Sequence, residues 1–89
     1  MTSPTPIETV ILELTAACGP ARSICPTDVA RVLDPAPGEG WRRHLTAIRR
    51  SAARLAEGGQ IEILRKGKKV EPQALRGVIR LRTTTVPGP

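Results

Sequence analysis

The sequence predicts an α+β fold in which three helices precede a C-terminal β-hairpin. Two observations carry this prediction: apolar residues recur at helical spacing in three segments, and they alternate with polar residues in two later ones. The 89 residues leave room for one domain, which we place at residues 7–82. Residues 1–6 and 83–89 are rich in proline and small polar residues, and we expect them to be disordered tails.

The first two helices are short and are bounded by prolines. Helix one is predicted over about residues 7–18, where spacing of i, i+3, i+4 and i+7 holds for Ile7, Val10, Ile11 and Leu14. Residues 22–25 precede a proline, which favours extended backbone, so a short strand is possible there. Pro26 suits a first helical position, with Asp28 in the first turn, and helix two is predicted over residues 26–33.

Helix three is the longest predicted element. It follows a loop rich in proline and glycine and covers about residues 41–57, ending at Gly58 and Gly59. One apolar stripe runs along it through Trp41, Leu45, Ile48, Ala52 and Leu55. The stripe is too short for a coiled coil, so this helix is predicted to face the core.

Two alternating segments, residues 60–66 and 78–82, are predicted to pair as a β-hairpin. Its tip, residues 67–77, is eleven residues long and carries several basic side chains. Helices joined by a turn and followed by such a hairpin are typical of a winged helix-turn-helix, in which the hairpin tip is the wing.

The positive charge of the chain is concentrated in its second half. The whole sequence has a formal charge of +6 and a pI near 10.7. Residues 1–40 contain two basic and five acidic residues, a net charge of −3, whereas residues 41–89 contain twelve basic and three acidic residues, a net charge of +9. The predicted partner is therefore a polyanion that meets helix three and the hairpin.

In a winged helix these two elements contact double-stranded DNA, and we expect helix three to lie in the major groove with the wing on the adjacent backbone. The candidate DNA-binding residues of helix three are Arg42, Arg43, Thr46, Arg49, Arg50 and Arg54. Those of the wing are Lys66, Lys68, Lys69 and Arg76. Two alternatives stay open: a basic face that is only solvated surface, and a protein-interaction module on the same scaffold.

Other classes of function have little support in the sequence. Trp41 is the only aromatic residue, so there is no platform for stacking the bases of a single strand. Cys18, Cys25 and His44 offer at most three metal ligands, and the two thiols are expected to be buried and unpaired. No catalytic motif or cofactor loop is present, so no enzyme and no cofactor are predicted. Without a signal peptide or membrane span, we expect a cytoplasmic protein.

Several stretches resemble a bacterial family of small winged helix-turn-helix proteins, domain-of-unknown-function family thirty-two fifty-three. The matching stretches are CPTDVA at residues 25–30, WR at 41–42, the run from IR to LA at 48–56, Gly67, VEP at 70–72 and GVIRLR at 77–82. Val78 stands where a proline is expected, and Leu45 lies near an expected methionine. The resemblance implies the winged-helix architecture and implies no particular activity.

Overall fold

The computed structural model describes residues 5–74 and 77–84 and has an α+β fold of three helices and a three-stranded antiparallel sheet. The arrangement is consistent with a winged helix, as predicted. The elements in chain order are α1 (Pro6–Cys18), α2 (Pro26–Leu33), a 3₁₀ helix η1 (Gly40–His44), α3 (Leu45–Glu57), β1 (Ile61–Arg65), β2 (Lys68–Val70), a second 3₁₀ helix η2 (Pro72–Ala74) and β3 (Arg80–Thr83).

The boundaries of the predicted tails differ from those of the described elements. Thr5 and Pro6 form the start of α1, and Thr83 belongs to β3. Residues 1–4 and 85–89, which make up most of the predicted tails, lie outside the described residues. No helix within the described ranges combines the length and the apolar character needed to cross a bilayer.

Reciprocal hydrogen bonds between Thr5 and Glu8 fix the start of α1. The Glu8 amide donates to the Thr5 hydroxyl at 3.1 Å, and the Thr5 amide donates to the Glu8 carboxylate at 3.0 Å. Each bond satisfies an amide that the first helical turn leaves without a partner. The Thr5 amide also lowers the pKa of Glu8 below its ordinary value, and the charge of Arg54 acts in the same direction.

Thr5→Ala is expected to lower the free energy of unfolding by about 1 kcal/mol, because it removes one of the two capping hydrogen bonds. Urea unfolding followed by circular dichroism measures this, with Thr9→Ala, an exposed position inside the same helix, as the control that leaves the cap intact. A Thr5→Ala cost as small as that of Thr9→Ala would contradict the role of the cap.

The contribution of Glu8 to stability depends on pH. Because folding lowers the pKa of Glu8, the stabilisation from its ionised form is present above the unfolded pKa and is lost as the pH falls through the folded pKa.

β1 is the central strand of the sheet, with β2 on one side and β3 on the other. The predicted hairpin is present as the antiparallel β1–β3 pair, whose register joins Ile63 to Leu81. Its tip is not a plain loop, because the chain turns at Lys66 and Gly67 and returns along the other edge of β1 as β2. Both turn residues have positive φ, 53° and 79°, which is the combination that a tight two-residue hairpin turn requires.

The strand predicted near residues 22–25 is reduced to a single bridge. Ile24 pairs with Leu81 through two backbone hydrogen bonds of 2.8 and 2.7 Å, and neither neighbour of Ile24 extends the pairing. Pro26 begins α2 directly afterwards, with the Asp28 carboxylate accepting a hydrogen bond from the Cys25 amide at 3.0 Å. The start of α2 therefore leaves room for one residue of strand.

The core lies between the three helices and one face of the sheet. α1 and α3 both pack against it, and β3 reaches α1 as well as β1. Its buried apolar side chains are Ile11, Ile24, Val29, Ala30, Ile48, Ala52, Leu55, Ile61, Ile63, Ile79 and Leu81. Because all three α-helices and the strands β1 and β3 contribute side chains to this cluster, the orientation of α3 relative to the sheet is fixed by packing.

Candidate nucleic-acid interface

The predicted third helix begins as a 3₁₀ turn and becomes α-helical at Leu45. Asp34, at the end of α2, holds this turn: its carboxylate accepts a hydrogen bond from Arg43 at 3.0 Å, and the His44 Nε2 lies 3.8 Å from the same oxygen. Asp34 is only 14% exposed, so Arg43 screens a carboxylate that is largely withdrawn from water. Arg43, which was predicted to contact DNA, is thus already paired with a carboxylate of the same chain.

Trp41 lies within the 3₁₀ turn and is half-buried against the core. The guanidinium of Arg31, from α2, lies 5.1 Å from the centroid of its ring, and that of Arg42 lies 5.2 Å away. Both distances suit a cation–π contact. Arg42 also pairs with Glu39 at 3.1 Å, but both side chains are well exposed, so this ion pair contributes little to stability.

The outer face of α3 carries Thr46, Arg50 and Arg54, all exposed. The opposite face buries Ile48, Ser51, Ala52 and Leu55, as the apolar stripe predicts for all but Ser51. Within residues 5–74 and 77–84, no carboxylate lies within ion-pair distance of Arg50 or Arg54, although Arg54 is near enough to Glu8 to lower its pKa. This face therefore presents two exposed guanidinium groups that are not held in an ion pair within the described residues, and the charge of Arg54 is partly offset by Glu8.

Arg49 lies on the flank of α3 rather than on its outer face, where Arg50 lies. Arg49 is half-buried, and its Nη2 donates a hydrogen bond to the Gly77 carbonyl at 2.7 Å, across 28 residues of sequence. Arg49 was predicted to contact DNA, and in the structure its guanidinium links α3 to the segment that leads into β3.

The wing is the β1–β2 turn with its flanking residues. Lys66, Lys68 and Lys69 are exposed there, and the ammonium of Lys69 lies 3.7 Å from the Glu62 carboxylate. Glu62 is held mainly by Arg82, whose Nη2 lies 2.6 Å away. Arg76, also predicted for this site, lies outside the described residues. Lys66 and Lys68 have no ion pair in the part of the chain that the structure describes.

The sequence-based site omitted residues that the fold brings beside the wing. Arg80 is exposed at the start of β3, where its Nε and Nη2 donate to the hydroxyl and the carbonyl of Ser23 at 2.6 and 2.8 Å. Val78 is 83% exposed between Gly77 and the buried Ile79. The alternation in this segment already placed Arg80 outward, but only the paired strands show that it lies next to the β1–β2 turn.

The cysteines and acidic residues of the described part of the chain form no metal site. Cys18 and Cys25 are free thiols and are half-buried, more exposed than predicted, because each sits at an end of a helix rather than on its buried face. Among the residues that the structure describes, no three side chains of His, Cys, Asp or Glu are grouped so as to hold a metal ion.

Comparison with known families assigns the chain without assigning an activity. A search of the curated proteins finds no match. The family model described as "Protein of unknown function (DUF3253)" matches residues 4–84, which include every described helix and strand. The match includes both α3 and the wing, and the chain therefore belongs to the DUF3253 family.

Proposed function

We propose that this protein binds double-stranded DNA, with the outer face of α3 in the major groove and the wing on the neighbouring backbone. The observation that carries the proposal is the exposed Arg50, which has no ion-pair partner among the described residues. It lies on a helix that the Arg49–Gly77 hydrogen bond joins to the segment beside the wing. In winged helices, a helix in the major groove contacts the bases, and cations on the flanking phosphates position the protein on the duplex.

The ion pairs divide the candidate residues into two groups. Arg42, Arg43 and Lys69 each have a carboxylate partner within 4 Å. The candidates with no such partner in the described part of the chain are Thr46, Arg50, Arg54, Lys66 and Lys68, while Arg49 is hydrogen-bonded to a carbonyl. The four cations of the unpaired set are the ones free to neutralise phosphates without first breaking an internal ion pair.

The proposal describes a binding protein rather than an enzyme. It rests on exposed guanidinium and ammonium groups that neutralise phosphates, and it assigns no reacting atom. We also propose that the protein is cytoplasmic, and two free thiols are in keeping with a reducing compartment.

The salt dependence of duplex binding tests the proposal. Neutralising four phosphates predicts an affinity loss on the order of a hundredfold between 50 and 200 mM salt, and neutralising six predicts a loss of roughly a thousandfold. The measurement is fluorescence anisotropy of a labelled 20-base-pair duplex at those two salt concentrations. A single strand of the same length serves as the comparison, and we expect it to bind more weakly because the chain has no aromatic platform. Affinity that does not change with salt would rule the proposal out.

A further inference from the structure

β1 and β3 separate at the wing and leave a fork-shaped groove between them. Their last paired residues are Leu64 and Arg80. Beyond this pair, β1 continues to Arg65, which pairs with β2 alone, while Gly77 and Val78 approach β3 outside the strand. The residues that line the groove, here called the fork, are Arg65, Lys66, Gly67, Gly77, Val78 and Arg80.

Half of the residues lining the fork are basic. Arg80 is held in place by the two hydrogen bonds to Ser23, which use its Nε and Nη2 and leave its Nη1 unbonded among the described residues. Lys66 lies in the tight turn between β1 and β2, with a φ of 53°, and its long side chain is exposed. An anion entering the fork therefore meets the Arg80 guanidinium, already held by Ser23, and the exposed ammonium group of Lys66.

The rest of the fork is apolar and open. Val78 is 83% exposed, and the one further large apolar side chain that is exposed among the described residues, Val32, lies on α2. Gly67 and Gly77 have no side chain, and even a Cβ built on either would meet nothing within 4 Å. A ligand with an anionic group and a compact apolar body, rather than a bare ion, matches this combination of walls.

We propose that the fork binds one sugar–phosphate unit of a DNA strand, with the phosphate between Lys66 and Arg80 and the deoxyribose against Val78. This inference rests on the proposed function, and it identifies the part of the protein that binds the DNA backbone beside the wing. The fork offers no aromatic side chain on which a base could stack, so the proposed contacts are to the sugar and the phosphate. The Arg49–Gly77 hydrogen bond attaches one wall of the fork to α3, so a strand flanking the major groove occupied by α3 passes close to this site.

Two substitutions with matched controls test the fork in duplex binding. Lys66→Gln is expected to reduce the salt slope by about 1, whereas Lys69→Gln, whose ammonium faces Glu62, reduces it less. Val78→Ser is expected to weaken binding roughly threefold to tenfold with an unchanged salt slope, because it removes apolar contact and no charge. Val32→Ser, the matched apolar-to-polar change on α2, is expected to leave binding unchanged. All four positions are at the surface or nearly so, and thermal unfolding checks that each variant folds.

A second measurement separates failure of the fork from failure of duplex binding. The amide resonances of Gly67 and Gly77 are followed by nuclear magnetic resonance while deoxyribose 5-phosphate is added to millimolar concentration. We expect both to shift in the wild type and neither to shift in Lys66→Gln.

If the duplex binds but Val78→Ser and Lys66→Gln match the wild type, the fork inference is wrong while the proposed function stands. If the duplex does not bind and the two amides still shift, the fork is supported and the proposed function is wrong. No shift with either ligand overturns both.

Discussion

Arg50→Glu is expected to weaken binding to duplex DNA by roughly tenfold to a hundredfold at 50 mM salt, which corresponds to about 1.4 to 2.8 kcal/mol. The side chain is exposed on the outer face of α3 and has no ion-pair partner among the described residues, so its whole charge is available to the ligand. Reversal removes one attractive contact and adds a repulsive one in the groove. Anisotropy titration of a labelled duplex measures the change.

The matched control is Arg22→Glu, which changes the net charge equally on the exposed connection after α1. We expect this variant to lose only a few-fold in affinity, through the general field of the protein. Equal losses for the two variants would mean that the outer face of α3 is not the contact surface. Arg43 is less suitable for this experiment, because a carboxylate there would lie beside Asp34 and disturb the start of the helix.

Leu81→Ala is expected to lower the free energy of unfolding by about 2 to 5 kcal/mol. Leu81 is fully buried, and its backbone pairs with Ile63 in β1 and with Ile24. Its side chain belongs to the same core cluster as those two residues, so it packs within a core built from both halves of the chain. The truncation leaves a cavity that these paired strands cannot collapse to fill. Since small domains have a total stability of about 5 to 15 kcal/mol, a large part of the variant population is expected to unfold near physiological temperature.

Trp41 makes this measurement simple, because the chain has no other aromatic residue and its fluorescence reports on one half-buried site. Urea unfolding followed by that signal gives the two free energies of unfolding. Val78→Ala, three residues earlier and 83% exposed, is the control, and we expect a change below about 0.5 kcal/mol. A similar cost for both substitutions would show that Leu81 does not hold the two halves together.

The sequence predicts the elements whose pattern is local. The helical spacing of apolar residues places all three helices, and the alternation of residues 61–63 and 79–81 places the β1–β3 pair. β2 was missed because Lys68, Lys69 and Val70 hold one apolar residue and show no alternation. This strand exists because a tight turn returns the chain to the edge of β1, and the turn depends on a lysine with positive φ, which residue type alone does not suggest.

The candidate site shows the same division between local and long-range information. Helical periodicity predicts which residues of α3 point outward, and Arg50 and Arg54 are exposed as expected. It does not predict what an arginine reaches, because the side chain is long enough to bond groups far away in sequence. Arg49 bonds a carbonyl 28 residues later, and Arg43 bonds a carboxylate nine residues earlier. The only signal that the sequence offers for Arg49 is its position on the flank of the helix rather than on the outer face.

The bridge between Ile24 and Leu81 has a consequence for how the protein is made. A ribosome releases α1, α2 and α3 before β3, yet the backbone partner of Ile24 and the hydrogen-bonding partner of Ser23 both lie in that last strand. A nascent chain that ends before Arg80 has exposed apolar faces on its helices and an unpaired edge on β1. The domain is therefore expected to close only after synthesis of β3, and truncated translation products that lack β3 are expected to be targets for proteases rather than partly active fragments.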